Sequence, residues 1–234
     1  MRAAVKQILS VVSIAAGLGW LYWRQRRAQQ NLGAARQGFF DECLSLLENP
    51  SVSQQGIDFP RAVGGCHGIE VQLAAVIDTL SVRKLPSLWL LVTIAAPTGV
   101  SETFDFVMRP NGAEAFTNFH RLDHSLNPPN AWPAGLVVRT DDPRASIPLE
   151  PLAAHIDFFS APQAKELLIT PKGVRLVWQL AEADRSYYGV YRQARFEGMD
   201  RLDGALCRHL IARATAISEL LRFRTIARTC LEKP

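Results

Sequence analysis

Residues 166–180 read ELLITPKGVRLVWQL and decide the fold class. Two β-rich runs, 166–170 and 174–180, flank Pro171-Lys172-Gly173, a strong turn signal. Val174, Leu176, Trp178 and Leu180 fall on one face of the second run, as a half-buried strand requires. This is a hairpin, so neighbouring strands run antiparallel here.

The same pattern extends upstream. In residues 69–78, Val71, Leu73, Ala75 and Ile77 alternate with polar positions. Residues 87–96, SLWLLVTIAA, are nearly continuous apolar and read as a central strand. Residues 103–108 alternate again, and the three runs are expected to form a meander. Short helices are expected at 111–119 and 149–159, strands at 136–140 and 187–196, and a long final helix over 202–228. Leu202, Leu206, Leu210, Ile217 and Leu221 form the stripe of that helix. Short turns rather than crossover helices join the strands. The expected class is α+β, one mainly antiparallel sheet with a long C-terminal helix.

Ahead of this domain lies a different kind of sequence. Residues 8–23, ILSVVSIAAGLGWLYW, form an uncharged run of 16. A spanning helix needs about 20 residues, and residues 4–23 supply them if Lys6 snorkels toward the headgroups. Trp20, Tyr22 and Trp23 gather at the far end, where amphipathic rings favour the membrane interface, and Arg24, Arg26 and Arg27 follow at once. Cleavable leaders end instead on a small-residue site. The expectation is a transmembrane anchor over 1–23, whose partner is the lipid bilayer through residues 4–23. The positive-inside rule favours a cytoplasmic domain. Ser13 with Gly17, and Ala15 with Gly19, give small-xxx-small spacings that suit close helix pairing in a homodimer.

Residues 24–48 read as a juxtamembrane helix carrying an apolar face that includes Phe39 and Phe40, expected to dock on the domain or on a partner. Asn49-Pro50 ends it, residues 49–60 read as a linker, and 61–234 as the globular domain.

The 234 residues carry a net charge of +4, and 48% are hydrophobic, as in an ordinary globular chain. No basic stretch interleaved with aromatics points to nucleic acid. Cys43, Cys66, Cys207 and Cys230 make no CxxC pair and read as independent thiols. The G-x-S-x-G, Walker, GxGxxG and HExxH motifs are absent, and no catalytic residue is assigned. The one candidate metal set is Cys66, His67, His120 and His124, because HRLDH spaces two imidazoles four apart, on one face if helical. Two surface histidines and a buried thiol account for the same residues. No cofactor is assigned. Tyr187, Tyr191, Arg192 and Arg195 form an aromatic–basic cluster able to grip an acidic partner.

The segments VRTDDP (138–143), NFHRL (118–122) and KELLITPKG (165–173) resemble those of bacterial single-pass membrane-anchored proteins without an established activity. The resemblance implies a bacterial source and a single-anchor layout, and no site residue. Together these readings lead to a membrane-tethered, non-enzymatic scaffold or accessory subunit at the bacterial inner membrane, its partner a membrane protein or a second copy. The alternatives are a Cys/His metal protein or enzyme and a periplasmic envelope-binding module.

Overall fold

The computed structural model describes residues 2–79, 85–110, 114–147 and 152–231, with side chains from Ala16 to Phe223. Among the described residues nine strands form one sheet, every neighbouring pair antiparallel. In chain order they are β1 (Glu48–Ser53), β2 (Arg61–Cys66), β3 (Ile69–Asp78), β4 (Ser87–Ala95), β5 (Phe104–Met108), β6 (His124–Leu126), β7 (Leu136–Thr140), β8 (Ala164–Thr170) and β9 (Gly173–Glu182). Across the sheet the order is β1-β2-β3-β4-β9-β8-β5-β7-β6. The expected class, α+β with one antiparallel sheet and a C-terminal helix, is what the chain adopts.

The helices are α1 (Arg2–Arg36), α2 (Asp41–Leu44), α3 (Arg185–Tyr191) and α4 (Gly204–Leu231). α4 begins on Asp203, whose carboxylate accepts from the Ala205 N–H at 2.8 Å. It lays Cys207, Leu210, Ile211, Ala214, Ile217 and Leu221 onto Leu88, Leu90, Val92 and Ile94 of β4 and Val174 and Leu176 of β9. Arg213 clamps Asp157 at 2.6 and 3.1 Å and ties the helix to the 3-10 turn Ile156–Ser160.

Several expectations need correction. The meander ends at β4, because the β8–β9 hairpin inserts beside it and sends β5 to the far half of the sheet. Of the helix expected over 149–159, residues 152–153 are α-helical and, after a turn, Ile156–Ser160 tighten into that 3-10 turn; residues 148–151 lie outside the described residues, as do 111–113 of the helix expected over 111–119. The segment 187–196 contains a helix rather than a strand: Asp184 accepts from the Tyr187 N–H at 2.8 Å and starts a turn of α3.

The domain also begins earlier than residue 61. Glu48, the last residue of the expected juxtamembrane helix, and residues 49–53 of the expected linker form β1 and pair with β2. Pro50 is tolerated because β1 is an edge strand, and an extra residue between Glu48 and Ser51, with Asn49 at φ 49°, forms a bulge. Gly64 leaves room for it, since a Cβ there would lie 2.9 Å from Leu47 Cβ. Of the two expected docking places for Phe39 and Phe40 the chain takes its own domain, so they are not a partner face. They are 0% and 1% exposed, packed edge-to-face at 5.1 Å within the core beneath α4. The Phe39 carbonyl also accepts from the Leu202 N–H at 2.8 Å.

A fragment starting at residue 61 is therefore expected to lack a cooperative urea transition, and Phe40→Ala in the full chain to lose about 3–5 kcal/mol. Retention of a sharp transition by the fragment would restore the later boundary.

Candidate functional site

Among the described side chains, α1 is buried against the domain only at its last turn. Residues 16–32 are exposed, and Gly33 is the first buried position. There the helix meets the β1–β2 connection: Gln54 Nε2 donates to the Gly33 carbonyl at 2.9 Å, and the Arg36 guanidinium lies 4.4 Å from the centre of the Phe59 ring. A Cβ at Gly33 would stand 2.9 Å from the Gly56 carbonyl oxygen, so glycine sets how closely α1 seats. Where α1 passes β1 a cleft of about 710 Å³ opens, lined by Arg26, Gln29, Gln30, Gln37, Val52 and Ile57.

Leu18, Trp20, Leu21, Tyr22 and Trp23 lie on the exposed part of α1, each more than half exposed. Arg24 stands over the Trp20 ring at 5.4 Å and Arg27 over Trp23 at 5.2 Å. Among the described residues no helix is long and apolar enough to cross a membrane. The side chains of 2–15, including Ser13 and Ala15, lie outside the described residues. What is described is a collar of rings and guanidinium groups that no protein surface covers.

The opposite face of the sheet holds a polar cluster that sequence patterning did not reveal. Register places Asp105 on β5, Glu166 on β8, Arg175 on β9 and Arg139 on β7 on one face, away from α4. Asp105 and Glu166 are 1% and 0% exposed. The Arg175 Nη2 donates to both Glu166 oxygens, at 3.3 and 3.2 Å. Asp105 Oδ2 accepts from the Thr117 hydroxyl at 3.0 Å, while Oδ1 has no donor. Burial, first, and the neighbouring Glu166 carboxylate, second, push the Asp105 carboxyl up to about 8, against the opposing pull of Thr117 and Arg175. A proton on Asp105 gives the pair a hydrogen bond that two carboxylates cannot make.

Residues 114–119 lie over this face as a strap. Glu114 pairs with buried Lys165 at 2.7 Å, Phe116 packs on Trp89 at 4.9 Å, Thr117 holds Asp105, and Phe119 lies 4.8 Å under Arg139. Lys165 also donates to the carbonyls of Met108 and Arg109, each at 2.9 Å, which uses all three ammonium protons. The acid pair is closed over by protein, and the arrangement suits a proton-holding latch better than acid–base catalysis on a substrate.

The structure does not bring the expected metal set together. His67 and Gly68, at φ 52° and 75°, form the tight two-residue turn between β2 and β3. His120 sits in the 3-10 turn Phe119–Arg121, after which Leu122 is extended and His124 opens β6 at the sheet's other edge. The two imidazoles therefore share no helical face. Among the described residues no three His, Cys, Asp or Glu side chains cluster as metal ligands. Cys66 and His67 instead line a groove of about 440 Å³ with Arg208, Ile211, Thr215 and Glu219 of α4. Burial, then Glu48, raises the Cys66 thiol, the opposite of activation. The Cys207 thiol is raised too, by its hydrogen bond with Cys43 first and burial second.

No family model matches the chain. No curated protein matches it. Among solved structures, that of the mycobacterial trehalose monomycolate transport factor A, TtfA, is similar with a TM-score of 0.40 and 10% identity, over 82% of this chain and 94% of that one. Likeness at this level transfers no site residue and no activity.

The acid pair sets a pH dependence. The folded chain keeps the Asp105 proton to about pH 8, whereas an unfolded chain releases it near pH 4. Its contribution to stability is complete below the unfolded value and is lost as pH rises through 8, by about 1.4 kcal/mol per pH unit. Urea unfolding between about pH 5 and 8 should show this decline, and Asp105→Asn should flatten it. Equal slopes in both chains would mean that Asp105 is ionised throughout.

Proposed function

We propose that this chain is a membrane-tethered, non-enzymatic scaffold or accessory subunit of a membrane protein complex, anchored in a bacterial inner membrane with its domain on the cytoplasmic side. The observation that carries the reading is the uncovered collar of α1. Trp20, Tyr22 and Trp23 with Arg24 and Arg27 have the amphipathic chemistry of the headgroup region, and they sit on a helix that leaves the domain at a single turn. Residues 4–23 supply the span, and tethering raises the local concentration of the domain for weak contacts with membrane proteins. The strapped acid pair, closed to solvent, fits a binding module better than a reaction centre.

A second reading, a periplasmic envelope-binding module, is favoured by one observation. Cys43 and Cys207 are buried in the same core, and Cys43 is the first cause of the raised Cys207 thiol; an oxidising compartment would favour joining two such neighbours.

The full chain is expected to stay with membranes through an alkaline carbonate wash and to release in detergent together with a stoichiometric membrane-protein partner. A chain lacking residues 2–23 is expected to be soluble and folded. Recovery of the full chain in the wash would sink the tether, and purification without a partner would count against the accessory role. Carboxy-terminal fluorescent-protein and alkaline-phosphatase fusions separate the two sides: fluorescence marks a cytoplasmic domain, phosphatase activity a periplasmic one.

A further inference from the structure

We propose that α3 is a second contact with the bilayer, resting on anionic lipid headgroups through Val190, Tyr191 and the arginines at 185, 192 and 195. The inference rests on the tethered reading and adds to it an orientation of the domain.

The first observation is topological. β1 runs into the 54–60 connection that seats α1. Every neighbouring pair is antiparallel, so β9, fifth in the sheet order where β1 is first, ends at Glu182 on that same end. α3 follows within three residues, and the Asp184 N–H donates to the Arg195 carbonyl at 2.9 Å, folding the segment back on itself. The seat of the collar-bearing helix and the start of α3 thus lie at one end of the sheet, with about 19 Å between their strands.

The second observation is chemical. Val190 and Tyr191 are 73% and 61% exposed. Tyr187 and Tyr191 pack at 4.6 Å, Arg195 stands over Tyr187 at 5.5 Å and Arg192 over Tyr188 at 5.9 Å. This repeats the guanidinium-over-ring pairing of Arg24 on Trp20 and Arg27 on Trp23. Residues 185–196 hold three arginines and no acidic residue. Rings with an apolar body, and cations that tolerate partial desolvation over them, suit an anionic interface. The same chemistry fits an acidic protein; the end of the molecule that α3 shares with α1 favours lipid.

The test reconstitutes the full chain into phosphatidylcholine vesicles with and without roughly one quarter phosphatidylglycerol. Hydrogen exchange of the 187–192 amides is expected to slow about tenfold in the anionic vesicles. Substitution of all three arginines (R185E, R192E and R195E) removes the slowing while the chain still floats with the vesicles and β9 amides stay protected. Val190→Ser, at an exposed position, is expected to reduce it without disturbing the fold. Unchanged exchange in a chain that floats with both vesicle types overturns this proposal alone, as does slowing that requires an added acidic protein. A chain that floats with neither overturns the tether and this proposal together.

Discussion

Two strands at the middle of a wide sheet, β4 and β9, carry apolar side chains on both faces, and both faces must be covered. On one side lie Leu88, Leu90, Val92, Ile94, Val174 and Leu176; on the other lie Trp89, Leu91 and Val177. A single helix covers only one face. α4 takes the first and Phe116 of the strap takes the second. The rest of the architecture follows from that division. Phe39 and Phe40 fill the space α4 leaves, and the Phe39–Leu202 backbone bond stitches the chain entering the sheet to the chain leaving it. The start of the domain is therefore fixed by its end.

The strapped face carries a cost that the helical face does not. Glu166 is fully buried and held by Arg175, and replacing such a pair with apolar residues often stabilises a fold. Its presence is better understood through what it positions. With Thr117 on Asp105 and Glu114 on Lys165, the polar contacts give the strap one register over the sheet, where apolar packing alone would tolerate several. Removing one partner leaves a buried group without compensation, so the cluster acts as a unit.

Periodicity made β3, β4, β7, the β8–β9 hairpin and α4 legible, because each buries residues at the spacing of its own element. It misplaced three things for physical reasons. Asn49-Pro50 reads as a helix stop followed by linker, yet a bulged edge strand accepts both residues. Tyr187, Tyr188 and Tyr191 are strand-favouring residues, and the deciding signal was the Asp184 cap three residues before Tyr187. β5 reads as a strand, but its neighbours come from distant parts of the chain, which no local pattern encodes. The acid cluster was hidden for the same reason: Asp105, Thr117, Glu166 and Arg175 look like ordinary polar alternation until β5, β8 and β9 are placed side by side. The collar of α1 was plain in the sequence, being a local run. Spacing joins His120 and His124 only if their segment is helical, and the strand order sets them far from Cys66 and His67.

The seating of α1 by a single turn at Gly33 has a geometric consequence. From Trp23 to Arg36 the helix contains no proline and only that one glycine, so it acts as a rigid strut. Whatever holds its far end, the seat at Gly33 lies about 1.5 Å further along the helix axis for each intervening residue, and the domain faces a direction set by about 100° of rotation per residue. Length and heading are thus coupled through helical phase. Adding one residue barely lifts the domain but turns it by more than a quarter circle, and only steps near a whole number of turns preserve which side looks toward a neighbour.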